Sequence, residues 1–171
     1  MTTSPLPHVL MVTPVFFPHA GGVETHVFEV GRRVAAAGAR LTVLTTDLSR
    51  SLAPREELEG IEIVRVPAYP RSKDWYLAPA IGRVIAGAGA DVIHVQSYHS
   101  MVAPLAMLAA RRHGIPYVVT FHSGGHSSGL RSRSRTMQLR ALRPLLEGAA
   151  RRIAVSAYEA RRFEALNGAI D

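Results

Sequence analysis

Short apolar runs alternate with longer segments whose apolar residues recur at helical spacing, and this alternation continues from one end of the chain to the other. Residues 8–13 (HVLMVT), 41–46 (LTVLTT), 91–96 (DVIHVQ), 117–121 (YVVTF) and 153–156 (IAVS) are too short for buried helices and read as buried strands. Between them Val23, Val27, Val30 and Val34 line one side of a helix, with Glu29, Arg32 and Arg33 opposite and Gly38 placed as its C-terminal cap. Further helices are expected over 101–113, 136–148 and 157–166, with Ser156 as the N-cap of the last. A weaker helix is expected over 75–88, crossed by Pro79 and several glycines. Residues 61–66 (IEIVRV) alternate with period two, as a half-exposed edge strand does, and the polar segment 49–60 reads as a loop. Apolar strands separated by helices specify a doubly wound α/β domain: a mostly parallel, Rossmann-like sheet with helices on both faces. The chain's 171 residues, 47% of them hydrophobic, suffice for one such core.

Composition narrows the function classes. There is no cysteine, which excludes a disulfide scaffold, a thiolate metal site and a cysteine nucleophile. No apolar stretch reaches the ~18 residues a membrane-spanning helix needs, and no basic segment precedes the first apolar run as a signal peptide requires. A cytoplasmic protein, peripheral at the inner face of a membrane if anything, is expected. The formal net charge of +7 has a local origin. Nine arginines stand against Glu147 and Glu159 between Arg131 and Arg162, while the remainder balances at eleven basic against eleven acidic residues. Guanidinium groups suit phosphates and carboxylates, so a phosphorylated substrate, an anionic membrane surface or nucleic acid is a candidate partner; a solvated helix face is the plainer alternative. Nucleic acid is disfavoured because only Tyr158 and Phe163 accompany these arginines, too few aromatic rings for base stacking.

In a doubly wound sheet, ligands bind beyond the carboxyl ends of the strands, which singles out three loops. In PVFFPHAGGVETH, Gly21 and Gly22 let the backbone approach a ligand and open a helix whose first N–H groups suit a phosphate or sugar hydroxyl, while Glu24 is placed to accept from a polyol. A glycine pair before a helix is equally a tight turn. The dinucleotide pattern G-x-G-x-x-G is absent, so Asp47 after the second strand carries little weight. In HVQSYH, His94 reads as a buried, satisfied histidine, and Gln96, Ser97, Tyr98 and His99 lie at or past the strand end, where sugar hydroxyls bind. In TFHSGGHSSG, His122 follows a strand directly and is placed to bond a hydroxyl or phosphate near a reaction centre, with Ser123 next to it. The spacing of His94, His99, His122 and His126 matches no metal pattern, so no metal site is expected.

Taken in order, PVFFPHAGGVETHVFEVGRRVAAAGARLTVLTT, DVIHVQSYHS, IPYVVTFHS and RRIAVSAYEARRF resemble the amino-terminal domain of family 4 glycosyltransferases, which share the GT-B architecture and include phosphatidylinositol mannosyltransferases and the catalytic subunit of the GPI N-acetylglucosaminyltransferase. The resemblance implies a retaining transferase that uses a nucleotide-diphosphate sugar and no metal or other cofactor. It implies that residues 1–171 are the acceptor-side domain and that the carboxy-terminal, donor-binding domain is absent from this chain, which alone is then inactive. By the same resemblance Gly21 and Gly22 approach the donor diphosphate and the acceptor, His122 is the catalytic-site histidine beside the transferred sugar, and Glu24, Tyr98, His99 and Ser123 line the substrates. Arg131, Arg133 and Arg135 fall where lipid-acceptor members meet phosphate head groups or the membrane surface. A non-catalytic binding module, or one subunit of a split transferase, is the alternative. With the second domain absent, the cleft edge bearing Phe16 and Phe17 is expected to be uncovered and to promote self-association.

Overall fold

The protein is described by a computed structural model covering residues 6–70, 76–98, 100–122 and 129–167, with the helical positions 129–136, 162 and 165–167 described by their backbone. The strands are β1 (His8–Val12), β2 (Arg40–Asp47), β3 (Arg55–Leu58), β4 (Ile61–Pro67), β5 (Val92–Gln96), β6 (Tyr117–Phe121) and β7 (Arg151–Ala154). The helices are α1 (Gly22–Ala36), α2 (Ala80–Gly87), α3 (Val102–Arg112), α4 (Gly129–Leu146) and α5 (Ala157–Asn167). One sheet holds all these strands in the order β3-β4-β2-β1-β5-β6-β7. Every pair is parallel except β3–β4. Without β3, the six parallel strands stand in the Rossmann order, with the winding reversing between β1 and β5.

Side-chain alternation divides the core into two. Met11, Leu41, Val43, Ile61 and Ile63 face α1, where they pack with Val27. Leu10, Val12, Leu44, Val64, Ile93, Val95 and Val119 face the other way, toward α2, α3 and α4. The expected helices on both faces are therefore present. Helix α1 lies very close to the sheet because Gly31 has no side chain: a Cβ there would stand 2.7 Å from Leu41 Cδ2 and 3.3 Å from Ile61 Cδ1.

Several expectations are corrected. Residues 55–58, read as loop, form β3, so β4 is an inner strand rather than an edge. The connection is the two-residue turn Glu59–Gly60, with φ of 48° and 78°, the geometry of a tight hairpin whose twist matches its strands. The helix expected from 75 begins at Ala80, with Pro79 as its N-cap; Trp75 lies outside the described residues. Helix α4 begins at Gly129, seven residues before the expected start, so Arg131, Arg133 and Arg135 belong to a helix. Phe16 is buried against Phe17 and the underside of α1, which removes it as an uncovered patch for self-association.

Tyr98, expected to line a substrate, is a core residue. It is fully buried and meets Phe163 edge-on at 5.3 Å and Phe121 at 6.0 Å, while those two rings stack at 3.7 Å. Its carbonyl accepts a hydrogen bond from Gln138 Nε2 at 2.9 Å. This aromatic triad joins β6 to α5, and Gln138 ties α4 to the segment after β5. Replacing Tyr98 by Ala should therefore cost about 3–5 kcal/mol of stability, the usual price of deleting a buried ring. Chemical unfolding of the Tyr98→Ala chain checks this; unchanged stability would return Tyr98 to the substrate side.

Candidate active site at the reversal of the sheet

Beyond the carboxyl ends of β1 and β5 the chain leaves in opposite directions, and the loop after β1 is held from several sides. The Thr13 N–H donates to the Leu44 carbonyl at 3.0 Å, and the Thr46 hydroxyl donates to the Pro14 carbonyl at 2.6 Å. The Arg65 guanidinium, 2% exposed, donates to the carbonyls of Phe17 (2.7 Å) and Ala53 (3.0 Å) and to the Glu56 carboxylate (2.5 Å). A residue of β4 thus fixes the segment that leads into α1. That helix starts from Gly21, whose backbone is extended and which offers no side chain to cap the first turn. The Glu24 carboxylate folds back over Gly21, so a Cβ at position 21 would collide with it. Gly22 faces open space.

Beside this turn lies a hollow of about 300 Å³ lined by Val15, His19, Glu24, Thr46, Asp47, Leu48 and Leu52. Asp47 is spent on structure: its carboxylate accepts from the Ser49 N–H and hydroxyl, the Arg50 N–H and the Leu52 N–H. Burial pushes its carboxyl up, but these bonds together outweigh burial and hold it below the ordinary range. Glu24 is thus the carboxylate of this hollow that is not committed to building a loop. Tyr76 is buried at the same edge, in polar contact with Thr46 and Ser100; burial raises its hydroxyl above the ordinary range and the Glu24 charge adds to the rise. A larger hollow of about 410 Å³, bordered by His8, Arg40 and Glu62, lies toward the amino ends of β1 and β2, away from the edge where parallel sheets place their ligands.

Toward the carboxyl ends of β5 and β6 the side chains on the α1 side are polar. Gln96 is paired with Thr120 in register, and strand alternation puts His94, Gln96, Thr120 and, just past the strand, His122 on one face. The His122 Nε2 stands 2.8 Å from Gln96 Oε1, Gln96 Nε2 stands 3.1 Å from His94 Nε2, and His94 Nε2 stands 2.7 Å from Thr120 Oγ1. Gln96 and Thr120 are buried. From α1, the His26 ring meets His122 edge-on at 4.9 Å. Desolvation, assisted by the nearby His26, lowers His94 from 6.5 to about 4, so its ring is neutral.

The structure brings Gly21, Gly22, Glu24 and His122 to one edge, as the sequence led us to expect, and confirms His94 as a satisfied strand histidine. It removes Tyr98 to the core and buries Gln96 and Ser97, whose backbone turns at φ 69° as β5 ends. His99 and Ser123 lie outside the described residues, as do the side chains of Arg131, Arg133 and Arg135. On helix α4 positions 131 and 135 are one turn apart on one side, and 133 is on the other. Ser156 caps α5 as expected: its hydroxyl accepts from the Glu159 N–H at 3.2 Å, and the Glu159 carboxylate accepts from the Val155 N–H at 3.3 Å. His26, Arg65 and Tyr76 were not singled out in the sequence. His26 could have been found, because it lies one helical turn beyond Gly22 on the helix that opens the site.

The family of glycosyl transferase 4-like domains matches residues 21–171. D-inositol 3-phosphate glycosyltransferase 1 of Catenulispora acidiphila is 30% identical over 163 residues, covering 88% of this chain and 38% of that protein. The phosphatidyl-myo-inositol mannosyltransferase of Mycolicibacterium smegmatis is 32% identical over 159 residues, covering 90% of this chain and 39% of the relative. The phosphatidylinositol N-acetylglucosaminyltransferase gpi3 subunit of Schizosaccharomyces pombe is 24% identical over 119 residues, 66% of this chain and 26% of the relative. This chain therefore spans two fifths or less of the length of these relatives. A glycosyltransferase structure from Rickettsia africae shares the fold, with a TM-score of 0.59 at 20% identity over 98% of this chain and 41% of the other.

The lowered His94 fixes a pH dependence of stability. Folded, the ring takes its proton only near pH 4; unfolded, it does so near 6.5, so the unfolded chain binds more protons between these values. Stability should be insensitive to His94 above pH 6.5 and fall by up to about 3 kcal/mol as pH drops to about 4. Urea unfolding across that window, compared with His94→Gln, isolates this contribution; identical slopes in the two chains would refute it.

Proposed function

Because the chain belongs to the glycosyl transferase 4-like family, we propose that it is the acceptor-binding half of a retaining glycosyltransferase that moves a sugar from a nucleotide-diphosphate sugar to a phosphorylated polyol, an inositol phosphate or its lipid being the best-fitting class. The observation that carries the reading is the contact of α1, whose first turn bears Gly22 and Glu24, with His122 at the end of β6 through the His26 ring, at the reversal of the sheet. The relatives support the acceptor class, since each is named for an inositol-containing acceptor. In this reading a second domain outside the chain supplies most of the donor contacts.

The chemistry asks little of this half beyond placement. Gly21 and Gly22 expose the first backbone N–H groups of α1 to the donor diphosphate, where the helix dipole favours negative charge. Glu24 accepts hydrogen bonds from acceptor hydroxyls in the adjoining hollow, and His122 borders the transferred sugar. The acceptor oxygen attacks the anomeric carbon on the face from which the diphosphate leaves. The new C–O bond forms as the old one breaks, and the acceptor proton passes to a diphosphate oxygen, so no protein base and no metal is required. Arg131 and Arg135, on one side of α4, and Arg133, on the other, meet the acceptor phosphate or the anionic inner face of the membrane at which a lipid acceptor resides.

Titration of the 171-residue chain tests this division of labour. We expect binding of an inositol phosphate, or of vesicles containing phosphatidylinositol, without comparable binding of nucleotide sugars. Replacing Arg131, Arg133 and Arg135 by Ala together should weaken the anionic acceptor by at least about tenfold, the size of one lost charge-assisted hydrogen bond. Tight nucleotide-sugar binding, or robust transfer by this chain alone, would overturn the proposal.

A further inference from the structure

The polar chain behind His122 has a direction, and that direction constrains the imidazole that faces the cleft. An amide side chain is asymmetric: its oxygen only accepts and its nitrogen only donates. Gln96 places the oxygen 2.8 Å from His122 Nε2 and the nitrogen 3.1 Å from His94 Nε2. His94 must then present a lone pair at Nε2, which it can do only as the neutral Nδ1–H tautomer. The Thr120 hydroxyl, 2.7 Å from the same nitrogen, shares that one lone pair with the amide. The lowered affinity of His94 for a proton agrees, because an imidazolium at this place would oppose an N–H to the amide N–H. At the other end, the amide oxygen requires a donor, so His122 carries hydrogen on Nε2 and its neutral ring keeps an acceptor at Nδ1.

We infer that Gln96 is the positioning residue of this site, coupling two histidines so that a half-buried His94 in one tautomer holds His122 in the other and fixes its ring as an acceptor at Nδ1. Among the described residues, His26 from α1 packs against this pair with Thr120 from β6 and Gln96 itself from β5, and of these three His26 is the ionisable one. The inference rests on the reading that His122 borders the transferred sugar, yet it concerns ring protons that can be observed in the chain without any substrate. Gln96 is buried and belongs to the middle of the sheet, so it holds its amide without the loop motion that a surface residue would bring.

Two-bond proton–nitrogen correlation spectra of the chain labelled with ¹⁵N-histidine, recorded above the ordinary histidine titration range, test the coupling. The His94 and His122 signals are assigned by their loss in His94→Gln and His122→Gln. The native chain should show His94 as Nδ1–H and His122 as Nε2–H. In Gln96→Glu the new carboxylate only accepts, so both rings should carry hydrogen on Nε2: His94 switches tautomer and His122 does not. In Gln96→Leu, the His122 Nε2 proton should exchange with water at least about tenfold faster for want of its acceptor. Native His94 as Nε2–H, native His122 as Nδ1–H, or an unchanged His94 in Gln96→Glu would each overturn the inference. Two substitutions guard against one failing to fold. If the tautomers behave as stated but no acceptor binds, the functional reading fails while the coupling stands.

Discussion

The whole site depends on one topological constraint, the reversal of winding between β1 and β5. From β1 the chain moves outward through β2 to β4, then returns and moves outward the other way through β5, β6 and β7. Each right-handed crossover leaves toward its own side, so the strand ends at this point are not roofed by a helix of their own. A crevice is the geometric remainder. What lines it is decided by the residues that end these strands and begin the next helices: Thr13 and Pro14, the Gly21 turn, and Gln96 and Ser97. Gly31 tightens the arrangement by seating α1 directly on Leu41 and Ile61, which sets where the first turn of that helix, and so Glu24 and His26, must stand.

The same constraint explains why a polar cluster is tolerated inside the sheet. Under α1 the face of β1, β2 and β4 is apolar and the helix covers it. Further along, on β5 and β6, the same face bears His94, Gln96 and Thr120. A buried amide or hydroxyl without a partner costs about 1–3 kcal/mol, so such a set survives only if its members satisfy each other. Here they do, in a chain that ends at His122. The cluster therefore converts what would be a stability cost into orientation: a histidine supported in this way occupies few ring geometries. Ser97, buried with a positive φ at the end of β5, is a second local cost at the same edge.

Much of this was legible in the sequence, and the failures have physical causes. The buried strands announced themselves because both faces of a central parallel strand are apolar, as in HVLMVT and YVVTF. Strand β3 did not, because REEL buries neither face; only the Glu59–Gly60 turn before an alternating strand hinted at a hairpin. Tyr98 was misread because a tyrosine after a strand suits a ligand as well as a core, and what decides is the distant Phe163, which sequence spacing cannot place. That Gly21, Glu24 and His122 share one edge could be read from the sequence because each stands at a strand end or helix start, which local pattern fixes. Arg65 and Tyr76 were not, since each acts across the fold, on the Phe17 carbonyl and near Thr46 respectively. The coupling through Gln96 needed register: once Gln96 is set opposite Thr120, alternation alone puts positions 94, 96, 120 and 122 on one face.

The electrostatics of this edge follow from the same topology. In every parallel strand–helix unit the helix starts where the strand ends, so α1, α3 and α4 all turn their positive ends toward the carboxyl edge of the sheet. Part of the chain's charge surplus joins them, because positions 131, 133 and 135 of the arginine-rich run lie in the first two turns of α4, the helix that follows β6. Against this stand carboxylates, among them Asp47 and Glu24 beside the crevice. Asp47 has its charge absorbed by hydrogen bonds from Ser49, Arg50 and Leu52, and it serves the loop rather than the crevice. Glu24 sits in the first turn of α1, where the helix dipole stabilises it. A negative ligand arriving here meets a field that is positive at long range and one carboxylate at short range. In the proposed function such an edge would draw in phosphates by attraction that salt weakens, and would then discriminate by whether the ligand also carries hydroxyls for Glu24. On that reading a bare phosphate would satisfy the first condition only, whereas a phosphorylated polyol would satisfy both.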